Sequence, residues 1–181
     1  MSLLRGDDFD RLFESFEHTA YRLEVRDRYD SPVEAAAVDR FVAGEPNDLS
    51  WLDGWLDTIG RATREGRRFA RVRVVTEPLT DYSRFGLHCA RLTNGAGEDI
   101  RYLRRAHAHR LGLPEHDYWL FDSRRVVRMH FDQHDRFLGG EPIRAADTVV
   151  DYNHWRDVAW HHATRRDDFA AEHAIGLDTH P

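Results

Sequence analysis

The sequence contains no lysine, so all 26 of its basic residues are arginine. Codon bias in a GC-rich genome is the simplest origin of that composition. Whatever its origin, the absence excludes a pyridoxal-phosphate Schiff base, a P-loop lysine and a lysine nucleophile. Arginine cannot replace lysine as a base, because its guanidinium group stays charged.

Cysteine and long apolar runs are also scarce. Cys89 is the single cysteine, which excludes an internal disulfide, a CxxC redox pair and a cysteine-rich zinc site within one chain. No stretch approaches the ~18 apolar residues of a membrane span. The first 16 residues are acidic and helically spaced where a signal peptide needs an apolar run. We therefore expect a cytoplasmic protein that does not bind membranes.

What the chain does contain is sufficient for one folded domain. Its 181 residues fit a single domain, and a hydrophobic content of 41% with five Trp and ten Phe can form a core. The net charge of -6 and the scattered arginine pairs argue against direct nucleic-acid binding. We expect a single α/β domain over residues 1–164 and a polar tail over 165–181.

The spacing of apolar residues predicts an alternation of helices and strands. Helical periodicity and end signals predict helices over 7–18, 32–43, 52–66, 80–93 and 149–162. Period-two alternation or short apolar runs predict strands over 21–27, 69–76, 100–103, 118–121, 126–131 and 136–141. The strand–helix–strand units imply parallel pairs, and the last three strands read as an antiparallel meander before a closing helix. The predicted fold is a mixed sheet with helices on both faces.

Twelve histidines raise the alternative of a metal-assisted hydrolase. That alternative requires two or more of five residues to converge on one ion: His107, His109, His116, His130 and Asp132. The HxH pair at 107 and 109 lies in a predicted helix or loop, and 130–135 lies at a predicted hairpin turn, where polar residues are common. Solvent-exposed segments are the simpler interpretation, so we predict no metal and no other cofactor.

Residues 76–85, TEPLTDYSRF, are the most distinctive candidate for a ligand site. Ligands of open α/β sheets bind beyond the carboxyl ends of the strands, near the starts of the following helices. The residues that we expect around such a hollow are Glu77, Asp81, Tyr82 and Arg84, with Arg101 and Arg104 as donors for an anionic group. The alternative is a helix cap at Asp81 and a solvated helix face. Cys89 is predicted to pack in the core as a small hydrophobe.

Several stretches together resemble an actinobacterial family, DUF6879, defined only as a domain of unknown function. They are YRLEVRDRYD (21–30), FVAGEPNDLSWLDGWL (41–56), RVRVVTEPLTDYSRF (71–85), GEDIRYLRR (97–105), GLPEHDYWLFDSRRVVRMHFD (112–132) and HWRDVAWHHA (154–163). The resemblance implies a small cytoplasmic protein, often encoded near helix-turn-helix regulators. Where that family commonly has a glycine in the last hairpin turn, this chain has Asp132 to Asp135.

The order of elements is more distantly similar to one half of the phospholipase D-like fold. Active members of that fold use a histidine, a lysine two residues later and an aspartate five residues further on. The nearest candidates here are His116, Tyr118 and Ser123. The resemblance therefore implies a copy that cannot run the phosphodiesterase reaction, and a likeness of fold is only an analogy.

We expect a non-catalytic regulatory domain that binds a ligand or a partner. Its partner would be a transcription regulator, and its ligand a small, anionic molecule or a peptide. Aromatic residues such as Trp51 or Trp160 would, if exposed, serve a homodimer or partner interface, but core packing is the favoured interpretation of each.

Overall fold

A computed structural model describes residues 2–173, which form a mixed sheet with helices on both faces. The helices are α1 (Asp7–Ser15), α2 (Pro32–Ala43), α3 (Asp53–Arg64), α4 (Asp81–Ala96), α5 (Arg105–Arg110), α6 (Ala146–His162) and α7 (Arg166–Glu172), with a 3-10 turn at Ser50–Leu52. The strands are β1 (Thr19–Glu24), β2 (Arg68–Val75), β3 (Glu98–Arg104), β4 (Tyr118–Phe121), β5 (Arg125–Phe131), β6 (Phe137–Ile143) and β7 (Thr164–Arg165).

The seven strands lie in the order β6-β5-β4-β1-β2-β3-β7. Strands β1, β2 and β3 are parallel, and β4, β5 and β6 form the antiparallel meander that the sequence predicts. Strand β4 is buried along its whole length, as expected for a short apolar run covered on both faces. The predicted α/β class and mixed sheet are confirmed.

One face of the sheet is a closely packed apolar layer. It presents Tyr21, Leu23, Val72, Val74 and Leu103 to α6, which covers them with a cluster that includes Tyr152, Trp155, Val158, Ala159 and Trp160. Because successive strand residues point to opposite faces, these side chains alternate with side chains on the opposite face of the sheet, where the candidate site lies.

The opposite face carries α1, α3 and α4. Near β4 an aromatic cluster joins Phe9 and Phe16 to Phe69, Trp119 and Phe121. Helix α2 packs on the outer side of α4, where Ala37 and Leu52 contact Phe85 and Cys89. Cys89 is buried, as predicted from its place on the helix.

Several boundaries differ from the sequence pattern by about three residues, and two differences matter most for the fold. The pattern predicts a helix over 7–18, but α1 ends at Ser15, because the Asp122 carboxylate accepts hydrogen bonds from the backbone N–H groups of residues 17–19 and holds them extended. The pattern also predicts a polar tail from residue 165. Helix α7 instead completes the fold, with Phe169 at 0% exposure stacked on Tyr102 at 4.9 Å between ring centroids.

The second correction has a simple physical reason. The segment RDDFAAE has one large apolar residue, which is too little periodicity to predict a helix from sequence. Its burial depends on a ring contributed by β3. Residues 174–181, the rest of the predicted tail, lie outside the described residues.

Candidate functional site

Charged side chains occupy the centre of the sheet face that α4 covers. Arg22 and Glu24 of β1 lie beside Arg71 and Arg73 of β2, in the register Arg22 to Arg71 and Glu24 to Arg73. The parallel strands place all four on the same face, opposite the apolar layer under α6. Helices cover this face, so the four residues form a charged floor inside the protein.

Glu24 is the centre of this floor. Its Oε1 accepts hydrogen bonds from Arg71 Nη1 at 2.8 Å and forms an ion pair with Arg22 Nη1 at 3.1 Å, and its Oε2 accepts from Arg73 Nε. Burial alone would raise the pKa of Glu24, but the three guanidinium groups lower it well below its ordinary value. Glu24 is therefore a buried carboxylate that stays ionised.

Two further carboxylates balance the remaining guanidinium charge. Arg71 Nε donates to Glu98 Oε1 at 2.8 Å, and Arg22 Nη2 donates to Asp117 Oδ2 at 3.3 Å. Asp117 also accepts a hydrogen bond from the Tyr29 hydroxyl, and burial raises the pKa of Asp117. Three arginines thus share three carboxylates, which is the arrangement that makes buried charge tolerable.

A cavity of about 400 Å³ lies between this floor and helices α1, α3 and α4. Its walls are largely aromatic and include Tyr29, Trp51, Trp55, Tyr82, Trp119 and Phe131. Partly exposed residues of two loops, Asp30, Ser31 and Asp135, mark its outer end. Its size and its combination of apolar walls with a few polar groups are typical of small-molecule sites.

Three buried polar atoms of residues that line this cavity have no hydrogen-bond partner among the described residues. They are Arg22 Nε, Trp51 Nε1 and Glu98 Oε2. Buried polar atoms are almost always satisfied, because an unpaired one costs about 1–3 kcal/mol. Each of the three atoms is itself enclosed, with almost no surface open to the cavity, so the empty space of the cavity does not supply their partners.

The start of α4 brings one predicted site residue into the cavity wall. Thr80 caps the helix, its side chain accepting a hydrogen bond from the backbone N–H of Ser83 at 3.1 Å. Tyr82 in the first turn of α4 points towards α2, where its hydroxyl donates a hydrogen bond to Glu34. Burial, and then the Glu34 charge, raise the pKa of Tyr82, so the phenol stays protonated.

Gly86, one turn further along α4, lets the helix approach the floor. A Cβ atom at this position would lie 2.1 Å from Arg73 Nη1. The guanidinium group of Arg73 therefore occupies the space that any other residue would fill. Sequence reasoning did not single out this glycine, because a glycine inside a helix carries no local signal of what packs against it.

The other predicted site residues lie away from the cavity. Glu77 and Arg104 are brought together, with Arg104 Nε donating to Glu77 Oε2 at 2.8 Å. The same pair holds the end of α7, since Arg104 Nη2 donates to Glu172 at 2.6 Å and His173 Nε2 lies 2.9 Å from Glu77 Oε1. This network sits at the surface and links the strand ends to α7.

Arg101 does not join that network. Because side chains alternate along β3, Arg101 points to the other face of the sheet from Ile100 and Tyr102. On that face its guanidinium carbon lies 3.8 Å from the ring centroid of Trp160 in α6. A single hollow shared by Glu77 and Arg101 is therefore not formed. Asp81 and Arg84 are exposed on the first turn of α4.

The floor residues were missed for a definable reason. Arg71 and Arg73 alternate with Val72 and Val74, which by itself is typical of a strand with one solvated face. A sheet with helices on both faces has no solvated face at its centre. Combining those two expectations would have identified the arginines as buried.

The histidines do not assemble into a metal centre within residues 2–173. No group of three His, Cys, Asp or Glu side chains there is placed to hold an ion. His130 instead lies 2.8 Å from Glu141 on the neighbouring strand, and His116 lies 2.8 Å from the Tyr152 hydroxyl. Burial lowers the pKa of His116 to about 4.

No helix in the described part of the chain is long and apolar enough to cross a membrane.

The fold and the cavity define a single-domain α/β protein with a mixed seven-stranded sheet and a charged, aromatic-walled internal site. The chain belongs to the family described as a domain of unknown function, DUF6879, whose model matches residues 7–171. A comparison with curated proteins found no match.

Proposed function

We propose that this protein is a non-catalytic regulatory domain that binds a small molecule in the cavity between the charged floor and helices α1, α3 and α4. One observation carries the proposal: a cavity of about 400 Å³ has aromatic walls above a floor of fixed ion pairs. Building such a floor requires burying six charged groups, which an apolar core would avoid.

The floor is suited to binding because its side chains are already held in place. Arg71 is fixed by both Glu24 and Glu98, and Arg22 by both Glu24 and Asp117. A ligand would not need to order these long side chains, which lowers the entropic cost of binding.

The cavity's own chemistry favours binding over catalysis. Cys89 lines the cavity, but burial raises the pKa of its thiol to about 12, so it is not a nucleophile near neutral pH. Glu24 at the centre of the floor is engaged by three arginines that lower its pKa, so it is a poor base. We propose a cytoplasmic protein acting with a transcription regulator, in keeping with the setting that the family resemblance implies.

A ligand screen with two matched variants tests the proposal. We expect library compounds to raise the melting temperature and to quench tryptophan fluorescence in the wild-type protein. Trp51→Phe reduces the aromatic surface of the cavity wall and should weaken binding about two- to tenfold, since one aromatic contact contributes about 0.5–1.5 kcal/mol. Trp160→Phe lies under the opposite face and should leave affinity unchanged.

Equal losses in both variants would mean that the compounds bind elsewhere or act through stability. A screen of several thousand metabolite-like compounds without a saturable hit would contradict the proposed function. Turnover of a defined substrate by the purified protein would overturn its non-catalytic part.

A further inference from the structure

The charge balance around the cavity points to the class of its ligand. The floor is neutral, because Arg22, Arg71 and Arg73 are matched by three carboxylates. An entering carboxylate or phosphate would meet guanidinium groups that already have anionic partners. It would have to displace one of them or remain unpaired in a buried site, and either is unfavourable.

Glu34 adds a negative charge that no arginine balances. Its Oε2 accepts a hydrogen bond from the Tyr82 hydroxyl, and among the described residues it forms no ion pair. The cavity wall therefore carries a carboxylate held in position by a neutral phenol.

The aromatic walls strengthen the same preference. Tyr29 and Tyr82 lie 6.1 Å apart between ring centroids, and both line the cavity with Trp51 and Trp55. Aromatic faces attract cations, and such surfaces combined with a carboxylate recognise organic ammonium groups.

We propose that the cavity binds an organic cation: a compact amine or guanidinium compound with a flat apolar body, its charged group directed to Glu34. This inference rests on the proposed function, and it replaces the anionic ligand expected from the sequence with a cationic one.

Three probes of nearly the same shape and different charge test the inference. Benzylamine, benzyl alcohol and benzoate are titrated into the full chain and followed by calorimetry and tryptophan fluorescence. We expect benzylamine to bind about tenfold more tightly than benzyl alcohol, the difference typical of one charge-assisted hydrogen bond. Benzoate should bind more weakly than either.

Two isosteric variants of α2 locate the effect. Glu34→Gln keeps an acceptor for the Tyr82 hydroxyl and removes the charge, so it should abolish the preference for benzylamine over benzyl alcohol. Asp39→Asn removes an equal charge from an exposed position of the same helix and should change nothing. A preference that survives Glu34→Gln would overturn the assignment to Glu34.

The outcomes separate this inference from the function on which it rests. If benzoate or benzyl alcohol binds more tightly than benzylamine, with the affinity reduced in Trp51→Phe, the cavity binds ligands but does not select cations. If none of the three probes binds at millimolar concentration, while the wider screen yields ligands sensitive to Trp51→Phe, the cation inference also fails. A failure of both experiments removes the proposed function itself.

Discussion

The two faces of the central sheet are built from alternating residues of the same strands, yet they differ in kind. Leu23 points to the apolar layer under α6, and its neighbour Glu24 points to the charged floor under α4. One face is closed by packing, whereas the other holds a cavity of about 400 Å³. The apolar face under α6 contributes to stability. The face under α4 retains buried charged groups, which are energetically unfavourable and which stability alone does not require.

The difference between the two faces explains how the fold tolerates a cavity beside its central sheet. The apolar layer is continuous across β1, β2, β3 and β4. Its packing holds these strands in place even though their other face borders a cavity. The floor then adds fixed geometry through ion pairs between neighbouring strands. Changes to the packed face should affect stability alone, while changes to the cavity face should affect binding as well.

The largest expected effect comes from removing the centre of the floor. Glu24→Gln leaves Arg22, Arg71 and Arg73 with two carboxylates, so we expect a loss of about 3–5 kcal/mol in the free energy of unfolding. Urea denaturation followed by circular dichroism measures it. A loss below about 1 kcal/mol would show that the arginines are hydrated and that the floor is not buried.

The same variant makes a prediction about pH. The pKa of Glu24 is lowered on folding, so its contribution to stability is complete above its ordinary value of 4.5 and is lost as the pH falls below that value. Wild-type stability should therefore fall steeply between about pH 4.5 and pH 3. The decline should be shallower in Glu24→Gln, because the other carboxylates titrate in both proteins. Parallel curves would contradict the role of Glu24.

Leu23→Ala tests the packed face at the adjacent position. Leu23 is fully buried, so the substitution leaves a cavity and should reduce the free energy of unfolding by about 3 kcal/mol. Ligand affinity measured well below the melting temperature should not change. A weakened affinity would show that the two faces are coupled.

Gly86→Ala should have a smaller effect on the free energy of unfolding. It should destabilise the protein, whereas replacing an ordinary helical glycine with alanine stabilises it. Its Cβ atom would meet Arg73 at 2.1 Å, and moving that guanidinium group should cost about 1–2 kcal/mol. Gly95→Ala in the same helix meets nothing within 4 Å and should instead stabilise by about 0.5–1 kcal/mol. Thermal melts of the two variants measure the contrast, and equal shifts would mean that Arg73 adapts freely.

The smallest effect is expected at the surface network outside both faces. Arg104→Gln removes two ion pairs of half-exposed groups, to Glu77 and Glu172, which together should contribute less than about 1 kcal/mol. The loss should shrink further at 1 M salt. A larger loss that is independent of salt would indicate that this network anchors α7 more firmly than exposed ion pairs usually do.

Local patterns were enough to predict most of the elements. The run Tyr118–Phe121 is apolar throughout and forms the fully buried β4, and the proline after Ser31 begins α2 where it was expected. The placement of the site residues followed less from local patterns. Tyr82, which was singled out from the sequence, lines the cavity. The pattern could not tell that Arg101 faces α6, because the parity of a short strand is uncertain until its partners are known.

The sequence by itself determined the alternation along most strands, the order of the helices and strands up to α6, apart from the short α5, and the reactive groups that the protein lacks. Only the tertiary structure decided that the charged side of that alternation would be enclosed. Glu24 and Arg71 are 47 positions apart, and their ion pair exists because β1 and β2 align in one register beneath α4. Local periodicity fixes which side chains share a face, but burial depends on what distant segments place over that face.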